Sequence, residues 1–252
     1  MSATAGSGIS AFAEGARLIL RPGLRRYVFA PALASLLVIV SAGYWAWDYL
    51  SEISASIVAW LPDWLGFLDV VLVPLLYVLG VLIGTWLFAL LAVIVASPFL
   101  GTLSAAVERH VRGRAPESGN RLWQDVVSSF GREARKLLYH LPRLLAVFLF
   151  SLIPAVNVAA PVLWLLFGAW TMAVQFCDYP TENRARPFSD TLQLLNANRM
   201  AALAFGFCTS VALAIPLLNF LLIPVAVAGG TVLLCEMNSA GSGQEPGPGN
   251  RK

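Results

Sequence analysis

Ile215-Pro216-Leu217-Leu218-Asn219-Phe220-Leu221-Leu222-Ile223-Pro224 interrupts a run, Met200–Cys235, that contains no Asp, Glu, Lys or Arg. An earlier uncharged run, Leu144–Cys177, is interrupted in the same manner by Ile153-Pro154-Ala155-Val156-Asn157-Val158-Ala159-Ala160-Pro161. Both interruptions read I-P-x-x-N with a second proline soon after. Each proline removes a donor from the helical ladder and clashes with the preceding turn, and it pushes its predecessor out of the helical region. The flanking arms are about 10 to 16 residues, which at about 1.5 Å per residue reach roughly 15–24 Å, short of the roughly 30 Å of bilayer hydrocarbon. This pattern predicts two helical hairpins that enter the membrane, turn at the Pro/Asn break and leave on the same side. The alternative is two ordinary spans with proline kinks. Non-helical backbone at membrane depth requires protein or a watery cavity around it, and paired interrupted segments point to a transport pathway. Pro154 with Asn157 and Pro216 with Asn219 are therefore hairpin-tip candidates. The two asparagine side chains either cap broken helix ends or line a path for a hydrated ion.

Composition agrees with a membrane solvent. Of 252 residues, 58% are apolar and only 12% charged, about half the charged share of an ordinary soluble domain. The net charge of +3 is too small and scattered to argue for nucleic acid. Cys177, Cys208 and Cys235 are odd in number and far apart in apolar surroundings, which fits neither a disulfide framework nor a zinc site. They read as small buried hydrophobes. His110 and His140 stand alone in basic segments, and GxSxG, HExxH and Walker A motifs are absent, so neither metal, cofactor nor enzyme chemistry is expected.

Two further uncharged runs complete the layout. Tyr27–Trp47 has the length of one span, and the 38 residues of Val70–Val107 are expected to form one long helix entering near Pro74 and passing Pro98. The segment before Tyr27 carries four arginines, and the Glu108–Arg143 segment carries eight basic residues. The segment between the first two runs holds Asp48, Glu52, Asp63 and Asp69 with no Lys or Arg. The positive-inside rule puts the basic segments and both termini in the cytoplasm and the acidic loop outside. The Asp178–Arg199 linker is charge-balanced and discriminates nothing. The expected architecture is an all-α integral membrane protein with two long transmembrane helices, two hemi-penetrating hairpins (144–177 and 200–235) and amphipathic cytoplasmic helices. It forms one domain over residues 1–237, followed by a disordered Gly/Ser/Pro-rich tail over 238–252.

The amphipathic expectations are specific. Ile9, Phe12, Ala13, Ala16 and Leu20 recur at helical spacing, as for an interfacial helix. Leu122, Val126, Phe130, Ala134, Leu137 and Leu141 do likewise, with a face that should pack on the bundle or the membrane surface. Ser189 is a candidate N-cap. Glu108-Arg109 ends the second long helix with local ion pairs, and Asp178-Tyr179-Pro180 reads as a turn. Arg21-Pro22-Gly23-Leu24-Arg25-Arg26 is the most suggestive polar segment. A turn before a helix start offers free N–H groups and the positive end of a dipole. With adjacent arginines, that suits a tetrahedral oxyanion. Topology anchoring is the competing reading for the same arginines.

The chain resembles the CysZ-type sulfate permease family of bacterial inner membranes, from Phe12 to about Glu236. The matching segments are Pro22-Gly23-Leu24-Arg25-Arg26, Ser97-Pro98-Phe99, Leu141-Pro142-Arg143, Gln175-Phe176-Cys177-Asp178-Tyr179-Pro180 and Pro187-Phe188. The most specific is Ile215-Pro216-Leu217-Leu218-Asn219 followed by Pro224-Val225-Ala226-Val227-Ala228-Gly229-Gly230-Thr231, where relatives commonly carry Gly-Ala-Thr. The resemblance implies sulfate uptake feeding cysteine biosynthesis, two long spans plus two hemi-penetrating hairpins, and homo-oligomers in the lipid bilayer. It maps a sulfate site onto Gly23 and Leu24 through their backbone and Arg25 and Arg26 through their side chains. Sulfite, a sulfur oxyanion of similar size, is a candidate competitor or regulator. A membrane scaffold or regulator without transport activity is the alternative function.

Overall fold

The computed structural model describes residues 3–59, 69–113, 122–154, 157–215 and 219–242. Every regular element among them is helical: α1 Ala5–Ile19, α2 Arg26–Ala59, α3 Asp69–Arg112, α4 Leu122–Ser151, α5 Ala160–Cys177, α6 Tyr179–Asn183, α7 Phe188–Ala197, α8 Arg199–Leu213 and α9 Asn219–Ser242. Among the described residues, Asn157–Asn183 and Leu221–Ser239 are long and apolar enough to cross a membrane. The chain divides into two compact units, Phe29–Phe99 and the remainder.

In the Phe29–Phe99 unit, α2 runs to Ala59, well past Trp47, so the first half of the expected acidic loop is helical. Asp63 lies outside the described residues. Trp47 and Tyr77 meet at 5.4 Å between ring centroids. As expected, α3 is one long helix passing through Pro74 and Pro98, and it extends to Arg112.

The larger unit is built on close helix crossings. Its core joins Ala11 and Leu18 of α1, Ala173 and Val174 of α5, Ala202 and Phe205 of α8, and Val225–Ala228 and Leu233–Leu234 of α9. Small residues set the spacing, since a side chain at Gly206 would overlap the Ala169 carbonyl and one at Gly230 the Phe176 carbonyl. Such small-residue contacts let helix backbones approach where apolar burial alone gives no preference in lipid. They also give α1 a packed face beside the expected apolar stripe. Its buried face is Gly8, Ala11, Gly15, Leu18 and Ile19, whereas Ile9 and Leu20 of the expected apolar stripe are exposed. Small residues carry little hydrophobicity, so a count of large apolar side chains misses the packed face.

The two Pro/Asn interruptions are real breaks. α4 and α5 run antiparallel around the first, with Trp164 Nε1 donating to Ser151 Oγ at 3.0 Å and Trp170 Nε1 to Tyr139 Oη at 3.0 Å. Nearer the open end, Arg132 meets Asp178. At the tip, Pro154 is exposed, and Asn157 opens a short 3-10 turn with its N–H donating to the Ile153 carbonyl at 3.0 Å. α8 and α9 flank the second break. With its amide nitrogen facing α8, Asn219 donates to the carbonyls of Leu213 at 2.8 Å and Ile215 at 3.2 Å. This is the capping role, which satisfies carbonyls that a broken helix leaves unpaired. Pro216 lies outside the described residues.

Arm lengths depart from expectation. α5 has 18 residues and α9 has 24, because α9 continues through Glu236 and Asn238 to Ser242. Residues 238–242 are therefore helical, and 243–252 lie outside the described residues. On α4 the buried face is polar, which leaves the membrane surface, of the two surfaces expected, for the apolar stripe. Arg132 and Lys136 are buried, while Leu137, Leu138 and Leu141 are exposed, so the apolar stripe does not pack on the bundle. The side chains of Leu122, Val126 and Phe130 lie outside the described residues. The helix passes through Pro142. α7 takes Pro187 as its N-cap in place of Ser189, since proline's extended ψ of 150° already sets the entry geometry. Cys177 and Cys235 are buried, and all three cysteines are free thiols.

Candidate anion-binding site

α1 ends at Ile19, and the chain reverses through Leu20–Arg25 before α2 starts. The reversal closes on one carbonyl. Arg21 O accepts from the N–H groups of Leu24 at 3.2 Å and Arg25 at 3.4 Å. Gly23 adopts φ +98°, open only to a residue without Cβ strain, and nothing lies within 4 Å of where a Cβ would stand. Leu24 is buried and pins the turn to the core. Among the described residues, the N–H groups of Gly23 and Arg26 have no protein acceptor.

The two adjacent arginines are exposed and held locally. Arg25 Nε donates to the Leu20 carbonyl at 2.5 Å. Arg26 donates to Tyr27 Oη at 3.0 Å, and its guanidinium carbon lies 4.9 Å from the Tyr27 ring centroid. Both guanidinium groups keep further donors. Two N–H groups without a protein acceptor, one of them at the helix start, and two neighbouring cations are donor types suited to an oxyanion. Of the four residues named from the sequence, Gly23 and Arg26 have N–H groups without a protein acceptor among the described residues, and Arg25 and Arg26 have exposed side chains. The Leu24 N–H is shared with Arg21 through a long bond.

Other polar groups gather near the charged ends. Arg21 lies 2.6 Å from Nε2 of His110, on the last turn of α3. On the inner side of that turn, Glu108 is fully buried, pairs with Arg184 and lies 4.0 Å from Arg112. Its ion pairs thus reach well beyond its own helix.

The strongest network surrounds Asp178, which is buried rather than a simple turn residue. Arg132 grips it with two bonds of 2.6 Å, Thr191 donates at 2.7 Å, and Lys136 lies at 3.1 Å. Arg132 also donates to the Arg186 carbonyl at 2.6 Å. Burial pushes the Asp178 carboxyl up, but the Arg132 hydrogen bonds, Lys136 and Thr191 outweigh it and hold it below the ordinary carboxylate range. Sequence reading missed this network because Asp178 and Arg132 are 46 residues apart. The available signal was two cations one helical turn apart, Arg132 and Lys136, on a helix whose opposite face is apolar.

Comparison with known proteins identifies the family. Residues 11–224 match the family described as Sulfate transporter CysZ/Etoposide-induced protein 2.4. A Pseudomonas paraeruginosa protein named Sulfate transporter CysZ is 42% identical over 229 residues, covering 90% of this chain and 93% of the relative. A Vibrio cholerae protein of the same name is 39% identical over 238 residues, covering 92% and 94%. One from Pseudomonas syringae pv. tomato is 40% identical over 236 residues, covering 92% and 93%. The chain belongs to the Sulfate transporter CysZ/Etoposide-induced protein 2.4 family.

Proposed function

We propose that this protein carries sulfate across the bacterial inner membrane and so supplies cysteine biosynthesis. The single observation that carries the reading is end-to-end similarity to proteins named as sulfate transporters, joined to a cationic turn that suits a tetrahedral dianion. Gly23, Leu24, Arg25 and Arg26 form the binding site. Sulfite competes there through the same oxyanion chemistry. The protein works as a homo-oligomer, with both termini in the cytoplasm.

The hairpins are re-entrant in this proposal. On α4 the last charge is Arg143, which leaves 144–151 as the uncharged arm, about 12 Å deep at 1.5 Å per residue. On α8 the uncharged arm is 200–213, about 21 Å. Both fall short of about 30 Å of hydrocarbon. The partner arms are longer, since Asn157–Asn183 and Leu221–Ser239 are long enough to cross, so the re-entrant reading rests on the short arms of α4 and α8. The Arg132–Asp178 pairing supports a common side for the two charged segments.

The test is sulfate affinity of purified wild type, Arg25→Ala and Arg25→Lys. Charge-assisted hydrogen bonds contribute about 1.5–3 kcal/mol each, so Ala weakens binding about tenfold or more. Lys restores it only in part, because it lacks the planar fork. Wild-type affinity in both variants makes Arg25 a topology anchor and places the sulfate site elsewhere.

A further inference from the structure

The exposed apolar surface of α4 carries a groove. Leu141, Leu144, Leu145 and Phe148 of α4 and Trp164 of α5 line an open cavity of about 280 Å³. The four α4 residues follow the i, i+3, i+4, i+7 spacing of one helical face. Trp164 forms the wall on α5 and is held in place. Its ring meets Phe167 edge-on at 6.2 Å, and Phe167 meets His140 of α4 in the same way at 6.2 Å. Its Nε1–H is already donated to Ser151 Oγ. The indole therefore offers the groove only apolar surface, and no lining side chain would select a polar ligand.

Cations stand at the charged end of this groove. Arg143 lies between Leu141 and Leu144 in the chain, but its guanidinium folds back one turn toward the start of α4. The guanidinium carbon lies 3.7 Å from the Tyr139 ring centroid, and Nη1 donates to the Tyr139 carbonyl at 2.5 Å. This is snorkelling, in which a long basic side chain at a membrane boundary carries its charge back to the headgroups. Tyr139 and Trp170, bonded Oη to Nε1 at 3.0 Å, mark the same level, since Tyr and Trp gather at the membrane–water interface. Arg135 is exposed one turn before Tyr139. Among the described residues, neither arginine forms an ion pair; Glu133, the nearest acid in sequence, is taken by Lys136 at 2.7 Å. From Leu141 to Phe148 the groove runs about 10 Å toward the hairpin tip, at 1.5 Å per residue.

We propose that this face of α4 binds an anionic phospholipid, with the phosphate on Arg135 and Arg143 and an acyl chain in the groove. Cations followed by an apolar groove is the order in which such a lipid presents its phosphate and chain. Basic positions beside membrane helices attract anionic headgroups. A second copy of the chain fits less well, because a two-fold contact through this face would set the two arginines against their own copies. A zwitterionic lipid fills the groove but brings a cation of its own to the arginines, so charge selects the lipid. The proposal requires only that α4 enter the bilayer after Arg143, whether the hairpin returns or crosses.

The probes are phosphatidylglycerol and phosphatidylcholine with brominated acyl chains, which quench tryptophan fluorescence on contact. Purified full-length protein, monodisperse by size exclusion, is reconstituted into mixtures of either one with unbrominated phosphatidylcholine. The Trp164 share of the quenching is the difference between wild type and Trp164→Phe. Arg135→Gln/Arg143→Gln is measured likewise, with and without Trp164→Phe. The readout is the binding constant of phosphatidylglycerol relative to phosphatidylcholine at Trp164. The expected preference is about tenfold or more for wild type at low salt, from two basic side chains. It should fall to near one in the double arginine variant. In wild type it should shrink at about 1 M salt, where the screening length is about 3 Å. A wild-type ratio near one overturns the proposal, as does an undiminished ratio in the double variant or at high salt. Trp164 quenched by neither lipid shows that protein fills the groove and overturns it as well.

Discussion

Asp178→Asn is the sharpest perturbation of the fold, because the side chain keeps its shape and loses only its charge. In the folded protein Asp178 is 0% exposed and receives two bonds from Arg132, one from Thr191 and an ion pair from Lys136. The substitution leaves Arg132 and Lys136 buried beside a neutral amide. Removing one partner of a buried ion pair costs about 3–5 kcal/mol, chiefly through the stranded charge. Arg132 retains the Arg186 carbonyl and Lys136 retains Glu133 at 2.7 Å, so the lower figure applies. About 3 kcal/mol is roughly a hundredfold in the unfolding equilibrium. The assay is tryptophan fluorescence during SDS titration of protein in mild detergent micelles. Asp178→Asn should unfold at distinctly lower SDS, and adding Arg132→Met should recover part of the loss by removing the stranded cation. An unchanged midpoint for Asp178→Asn, or a double variant no better than the single one, would refute the reasoning.

Three other outcomes follow from the same structure. Gly206→Val forces a side chain into the Ala169 carbonyl and should destabilise by about 1–3 kcal/mol or more, whereas Gly168→Ala, with open space around it, should be tolerated in the same thermal-shift assay. The folded Asp178 carboxyl lies below its unfolded value of about 3.9. Its stabilisation is therefore complete above that value and lost as pH falls through the folded one; wild type should lose stability below about pH 4, and Asp178→Asn should lose less over that range. Single cysteines replacing Ser189 and Ser118, in a background without native cysteines, should label from the same membrane face; labelling from opposite faces contradicts the re-entrant hairpins.

Much of the architecture was legible because lipid removes ambiguity. Absence of charge over Val70–Val107 sufficed to identify α3, and the paired I-P-x-x-N motifs located the ends of α4 and α8. The face of each helix was less legible. Gly8, Ala11 and Gly15 bury α1 although they carry almost no hydrophobicity, and α4 turns Arg132 and Lys136 inward because Asp178 awaits them. Hydrophobic periodicity registers neither close backbone approach nor a charge partner supplied 46 residues later. The site shows the same division. The Pro-Gly turn and its arginines are contiguous and could be read directly. His110 looked isolated because only the folded chain brings it to Arg21.

The central claim is that this chain alone moves sulfate through a site built on the Gly23–Arg26 turn. Its most direct test is uptake of radiolabelled sulfate into liposomes that contain only the purified protein, compared with an Arg25→Ala/Arg26→Ala variant reconstituted to equal density. The account predicts saturable sulfate uptake well above protein-free liposomes for wild type and its loss in the double variant. Wild-type liposomes no more permeable than protein-free ones, or undiminished uptake by the double variant, would contradict it.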